Sequence, residues 1–419
     1  MSPSIPEPVY PLAAVRRLAL HTQGLATPLG AEPEPGLEAI YKTVENLGCV
    51  QIDTLQMVRR SQYLVLWSRL GNYDPADLDR LIYDPGQRRL FEYWKHAASI
   101  IPLNEYRYQL PYMRFFREGN HQWGFNWLHE PGNAELADQV LEEVRQRGPL
   151  RVSDFEHDGL PRGAWWEWTP AKHALEHLYN TGDLMIANRV KFQRAYDLRE
   201  RVLPDWVDTS EPTLAERNRF RLEQAVRALG ICEPAQAAEY AYLKRGEARP
   251  HLDELLAAGA LVPVQADLGP AGSRTLIVQR ANLPLLERAA SGDLEAGRTT
   301  FLSPFDSLFW ARGRDQLFWG FNNVLEAYKP PAARIWGYFC LPILHRDRLV
   351  GRFDPKLERR SGLLRLKSLS LDPGVKPDDK LVAGVATAMR DFLAFHNAAE
   401  LVIERSQPAE FSTRLLNAL

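Results

Sequence analysis

The sequence predicts an α+β chain, mainly helical, in which a helix-rich unit with a terminal hairpin recurs three times before a small antiparallel β-barrel or sheet. Three observations predict it. Up to about residue 280, apolar residues at helical spacing alternate with pairs of short β-forming runs. Beyond about residue 290 the runs of β-formers lengthen and helical spacing retreats to one late segment. The length, 419 residues, exceeds what one hydrophobic core ordinarily organises, so two to four domains are expected.

Taken in order, residues 1–9 are Pro-rich and loose. Pro11 opens the helical pattern PLAAVRRLALHTQ, where Leu12, Val15, Leu18 and Ala19 form one stripe and Gly24 ends it. PLGAEPEPG (28–36) is linker-like, and LEAIYKTVENLG is a second helix stopped at Gly48. YLVLWSRL is helical, Asp74-Pro75 opens the helix PADLDRLIY, and LFEYW and ASIIP read as two short strands. Helices followed by a hairpin have the sequence shape of a winged helix. The shape recurs with AELADQVLEEVRQRG, a short helix at VSDFE, TPAKHALEHLYNTG, and the hairpin DLMIANRVKFQRAYDL with its turn near Asn188-Arg189. It recurs again from Thr213, with helices at LAERNRFRLEQAVRALG, after Glu233-Pro234 and from Pro250, then strands LVPVQ and TLIVQR. The predicted domains are 1–110, 111–205, 206–289 and 290–419. The last holds β-runs around the turn HRDR (345–348), one helix, DDKLVAGVATAMRDFLAFHN, and a final strand, ELVIER.

With 45% hydrophobic and 25% charged residues the composition is that of a soluble globular protein. No apolar run approaches the ~20 residues of a membrane span, and MSPSIPEPVYPLAAVRRLAL lacks the features of a signal peptide, so a cytoplasmic protein is expected. Cys49, Cys232 and Cys340 are isolated, which argues against a disulfide framework or a structural zinc site; no metal or cofactor is expected. A net charge of −2 does not advertise a nucleic-acid ligand, so any such surface must be one basic face balanced by acid elsewhere.

Chemistry concentrates between Cys49 and Pro75. In an extended backbone Gln51 and Asp53 point to one face while Ile52 anchors the other. Polar groups in so apolar a neighbourhood are hydrogen-bonded or chemical. Two readings stand side by side. Asp53 with Gln56 is a capping-box pattern that opens a short helix, TLQMVRR. Alternatively, the pair is catalytic.

QIDT, VLWSRLGNYDP, FEYWKHAASIIP (91–102), FLSPFDSLFWARGR (301–314) and GYFCLPILHRDRLVGRFDPK (337–356) together resemble the winged-helix DNA glycosylases of the YcaQ/AlkZ type, over about residues 10–400 and in the same order. The resemblance implies three tandem winged helices, a catalytic Gln-hydrophobe-Asp motif at Gln51 and Asp53 as in the YcaQ branch, and hydrolytic excision of N7-alkylguanines with unhooking of interstrand crosslinks. The implied partner is double-stranded DNA carrying an alkylated or crosslinked guanine, bound by a monomer. Candidate DNA contacts are Arg59 and Arg60 after the motif, His96, the wing residues Arg189, Lys191 and Arg194, the pair Arg312 and Arg314 after SPFD, and Arg352 and Lys356 in the most basic stretch. Lys95 is the one lysine near a motif that could form a Schiff base, although a surface role is expected for it. Trp123, Trp127, Trp165, Trp166 and Trp168 offer a candidate wedge, with packing as the ordinary alternative for each. The competing function is a non-enzymatic tandem winged-helix DNA-binding protein or regulator; against it, no distinctly basic recognition helix stands out.

Overall fold

A computed structural model describes residues 8–28, 35–120, 127–155 and 169–419. The architecture is mixed α+β with a helical majority in the first 290 residues. By contacts the chain divides into two units. One gathers residues 1–77, 96–99 and 218–419; the other gathers 78–95 and 100–217.

In the first unit, the helix Leu12–Thr22 buries Ala14, Val15, Leu18, Ala19 and Leu20, the stripe its 3.6-residue period predicts. Its partners lie more than 200 residues away. Val9–Pro11 adds in parallel to Leu261–Asp267, which pairs antiparallel with Ser273–Gln279. The helix, that sheet and residues Leu302 to Leu349 share one apolar core. The start of the chain therefore packs with segments expected as the third and fourth domains.

The C-terminal sheet runs Thr299–Phe301, Leu341–His345, Arg348–Glu358, Leu363–Leu371, all antiparallel neighbours. Gly351 sits where a Cβ would lie 2.2 Å from the Ser370 carbonyl oxygen, so only glycine permits this close strand approach. The sheet is not wholly antiparallel. Glu400–Ile403 and Ser406–Gln407 join Leu363–Leu371 in parallel, because the helix Asp379–Phe395 carries the chain back across the sheet. A last helix, Ala409–Ala418, follows the strand expected to end the fold.

Two clasps hold the helix Ser61–Leu70 to this sheet. Trp67 packs on Phe301 and Phe392 with ring centroids 5.9 and 5.1 Å apart. Beside it Arg69 makes a two-pronged ion pair with Asp306, at 2.7 and 2.9 Å, and both side chains are almost wholly buried. Asp306 also accepts from Leu308 N, and Ser303 Oγ meets Ser61 Oγ at 2.8 Å. The SPFD stretch is thus a structural lock on the helix that follows QID.

In the second unit, helices Asn133–Arg147 and Pro170–Asn180 precede the strands Leu184–Val190 and Gln193–Leu198. The hairpin turns at Lys191-Phe192, not at Asn188-Arg189. Both turn residues have positive φ, 49° and 71°, the signature of a two-residue type I′ connection, and the irregularity near Asn188 is a bulge. A further expectation shifts in the first unit: the helix Arg245–Ala257 begins five residues before Pro250. So near the helix start, Pro250 forfeits only one backbone bond.

Candidate active site

Val50–Gln51 is a two-residue strand, and Ile52 N donates to the Ala98 carbonyl at 2.8 Å, which fixes the direction of the QID backbone. The chain then leaves the sheet. Residues 53–60 form no helix, and the helix begins at Ser61 with Arg60 in the cap position. The capping-box reading of Asp53 and Gln56 is therefore replaced by a local turn, in which Asp53 Oδ1 accepts from Leu55 N at 2.7 Å. Backbone N–H groups near the carboxylate suffice for this turn, so no helix is needed to explain its polarity.

Asp53 is 9% exposed. Burial raises its carboxyl above the ordinary value, while hydrogen bonds from Leu55 and Thr54 and the charge of Arg60 pull the other way. Gln51 is half-buried, and its amide makes no hydrogen bond among the described residues. The loop carrying them is sewn to the C-terminal sheet and its helix. Leu357 N donates to Met57 O at 2.8 Å, Arg359 Nη2 to Val58 O at 2.8 Å, and Arg59 Nε to Phe395 O at 2.9 Å. These bonds tie a loop without secondary structure to a rigid scaffold.

His96 lies flat on Trp310, with ring centroids 4.2 Å apart and planes 7° from parallel, and Tyr242 meets its edge at 5.8 Å. Burial lowers its pKa to about 4, so the imidazole is neutral at physiological pH and acts as a hydrogen-bonding group rather than a cation. Its Nδ1 is buried and has no partner among the described residues.

The candidate cations separate into three kinds. Arg312 and Lys356 in the first unit and Lys191 in the second are exposed. Arg59 is bound to Phe395, as its hydrogen bond and its stacking on that ring show, and Arg60 stands in the field of Asp53. The rest are consumed by the fold. Arg189 grips buried Glu92 with two bonds of 2.7 and 2.6 Å, and Arg194 pairs with Glu176 at 3.0 and 3.1 Å. Arg314 is wholly buried and donates to the carbonyls of Leu229 and Ile231. Arg352 lies buried between the Phe321 and Trp336 rings and donates to Asn322 O. For Arg314 and Arg352 the expected phosphate contact gives way to a packing role, because a buried guanidinium engaged by carbonyls and rings cannot reach solvent. Lys95 is likewise no surface residue: its ammonium is paired with buried Glu105 at 2.6 Å. Trp127 stacks on His173; Trp123, Trp165, Trp166 and Trp168 lie outside the described residues.

A family model, "DNA glycosylase AlkZ-like", matches residues 44–395, from just before Gln51 to the end of the helix that anchors Arg59. The chain belongs to the AlkZ-like DNA glycosylase family. Its fold is similar to that of Streptomyces sahachiroi DNA glycosylase AlkZ, with a TM-score of 0.62 over 95% of this chain and 100% of that one, at 15% identity. As a family member this chain is a DNA glycosylase, an enzyme whose substrate is DNA. Among the described residues no helix is long and apolar enough to cross a membrane, and no group of three or more His, Cys, Asp or Glu is placed to hold a metal ion.

Sequence reasoning passed over Glu326. It is buried, yet its carboxylate accepts from Ile335 N and Trp336 N at 2.9 and 2.7 Å and pairs with Lys329, and these donors hold its pKa down at about 2. The only sequence signal was the neighbouring Pro330-Pro331, which marks a stiff loop.

Proposed function

We propose that this family member is a monofunctional glycosylase that hydrolyses the N-glycosidic bond of N7-alkylated guanines in double-stranded DNA, crosslinked guanines included. It works as a monomer in the cytoplasm, with its helical part arranged as three winged helices within 1–110, 111–205 and 206–289 ahead of the β-rich 290–419. Cleavage builds oxocarbenium-like positive charge on the sugar. Asp53 supplies the compensating negative charge and accepts a proton from the attacking water; Gln51 orients that water through its amide. An N7-alkylguanine is already cationic and departs neutral, so no general acid is required. Exposed Arg312, Lys191 and Lys356, with Arg59 and Arg60 nearer the motif, meet phosphates. Neutral His96 hydrogen-bonds the substrate through its unpartnered nitrogen.

One observation carries the reading: Asp53 is buried, raised in pKa and held by a backbone turn, two residues after a Gln51 amide with no hydrogen bond among the described residues. The test is incubation with a duplex oligonucleotide containing N7-methylguanine, followed by alkali to reveal abasic sites. Wild-type protein releases the base and Asp53→Asn does not. Tight binding with no release by either protein would favour the regulator instead. Borohydride yields no protein–DNA adduct, since the Lys95 amine is tied to buried Glu105 at 2.6 Å and water is the nucleophile. An adduct lost in Lys95→Ala would replace this mechanism.

A further inference from the structure

Tyr328 and Ile335 are the most exposed large apolar side chains of the described residues, each 77% exposed. They stand at the two ends of one short loop. Between them run Lys329, Pro330, Pro331, Ala332, Ala333 and Arg334. Such exposure on a floppy segment would mean little. This loop is not floppy.

Glu326 closes it from below by accepting the backbone N–H groups of Ile335 and Trp336. Arg334 Nε closes it a second time by donating to the carbonyls of Glu326 and Lys329, at 3.2 and 3.0 Å. Arg352 spans its base, bonded to Asn322 O on one side and stacked on Trp336 on the other. Gly337 follows at φ 150°, where a Cβ would come within 2.4 Å of Asp354 Oδ2. Asp354 in turn accepts from Tyr338 N and Phe339 N at 2.8 and 3.0 Å. Two buried carboxylates and a buried arginine thus hold two large apolar side chains in water. Folding alone gives no reason for that arrangement, since apolar surface is stabilised by leaving water.

The loop's position supplies the reason. Asn323, just before the loop, donates to Pro304 O at 3.1 Å beside the Ser303–Ser61 contact that follows QID, and slight desolvation and then the Asp53 charge raise the Tyr328 phenol. Lys329 pairs with Glu326 and Arg334 caps the carbonyls beneath the tip, so two cationic side chains flank the apolar pair.

We propose that residues 326–337 form a wedge, with Tyr328 and Ile335 entering the base stack of duplex DNA beside the target nucleotide and holding open the gap as that nucleotide turns toward Asp53. The inference rests on the glycosylase reading and names the part of the chain that opens the duplex. Apolar residues inserted at a base step unstack it and kink the helix, and a pinned loop spends no ordering entropy when it does so. Proline at the crest is itself a wedge residue and keeps the tip extended. Extrusion costs free energy for a paired base and least for one that is already unpaired.

That difference provides the test, made with the full chain. Tyr328→Ala/Ile335→Ala, both largely exposed side chains, is compared with wild type and with Tyr328→Phe. The first readout is 2-aminopurine placed beside N7-methylguanine in a duplex and bound by proteins that also carry Asp53→Asn, so that no base is released. Binding raises the fluorescence with the intact loop and with Tyr328→Phe, and the double alanine variant abolishes most of the rise. The second is single-turnover excision: the double variant loses at least about 10-fold more rate on a fully paired lesion than on the same lesion in a single strand. Equal losses on both strands, or an undiminished fluorescence rise, overturn the wedge. If wild-type protein releases no base from either strand, the glycosylase reading fails instead, and the fluorescence comparison alone decides whether the loop enters the stack.

Discussion

Asp53 and Asp306 are two buried aspartates of one unit, each in a short motif-like stretch, and their surroundings assign them opposite roles. Asp306 is fully buried and saturated: both oxygens meet Arg69, and Leu308 N adds a third bond. Asp53 is nearly as buried but, among the described residues, accepts only from its own turn, and burial is the strongest influence on its protonation. A satisfied carboxylate is a structural element, because its charge is already spent on partners that do not move. An undersatisfied one retains charge for a reacting group, and its retention costs stability. Glu92 in the other unit repeats the first case, with Arg189 and Tyr83 on its oxygens and a pKa held low in spite of its burial.

The comparison is broken most severely at Asp306. Asp306→Ala strands the buried Arg69 guanidinium, and loss of one partner of a buried pair costs about 3–5 kcal/mol. Urea unfolding followed by tryptophan fluorescence should show that loss, and an unchanged midpoint would remove the claim that SPFD is a lock. Asp53→Asn inverts the pattern. The fold holds while excision falls by about 10²-fold or more, the scale of one electrostatic stabiliser of a transition state; excision within a few-fold of wild type would return Asp53 to the turn alone. Gln51→Ala sharpens the division between charge and orientation. It should cost about 10-fold in single-turnover rate, near the ~1–1.5 kcal/mol of one neutral hydrogen bond.

The smallest effect is a pH dependence. A carboxyl whose folded pKa is raised contributes stability that is complete below its ordinary value of 3.8 and is lost as pH rises through the raised value. Ionised Asp53 is therefore a burden at neutral pH. Asp53→Asn should unfold at a slightly higher temperature than wild type at pH 7, with the gain shrinking as pH falls toward 3.8. Activity should share the same protonation, so its acid limb lies above that value. A variant less stable than wild type at neutral pH would show that the carboxylate is well satisfied after all.

Local order determined what the sequence alone made legible. Helical stripes such as Leu12 to Ala19, proline starts at Pro75 and Pro170, glycine stops at Gly48 and Gly182, and the paired β-runs all depend on neighbours within a few residues, and the structure keeps them. Gln51, Ile52 and Asp53 were conspicuous for the same reason, since alternation on an extended chain needs only three residues. The hairpin turn at Lys191-Phe192 was missed because positive φ in non-glycine residues leaves no mark in composition.

Only tertiary structure decided which charges are available and which are consumed. Arg314 and Arg352 look in sequence like any exposed arginine, yet distant carbonyls and rings enclose them. Asp53 and Asp306 are indistinguishable as letters, and Arg69, 237 residues from Asp306, separates their roles. The loop beneath Tyr328 is invisible until Glu326 and Arg352 are seen to pin it. Burial and partnership are set by residues far apart in the chain, so the protonation and reach of a side chain belong to the fold, whereas its capacity to form a helix or a strand is written beside it.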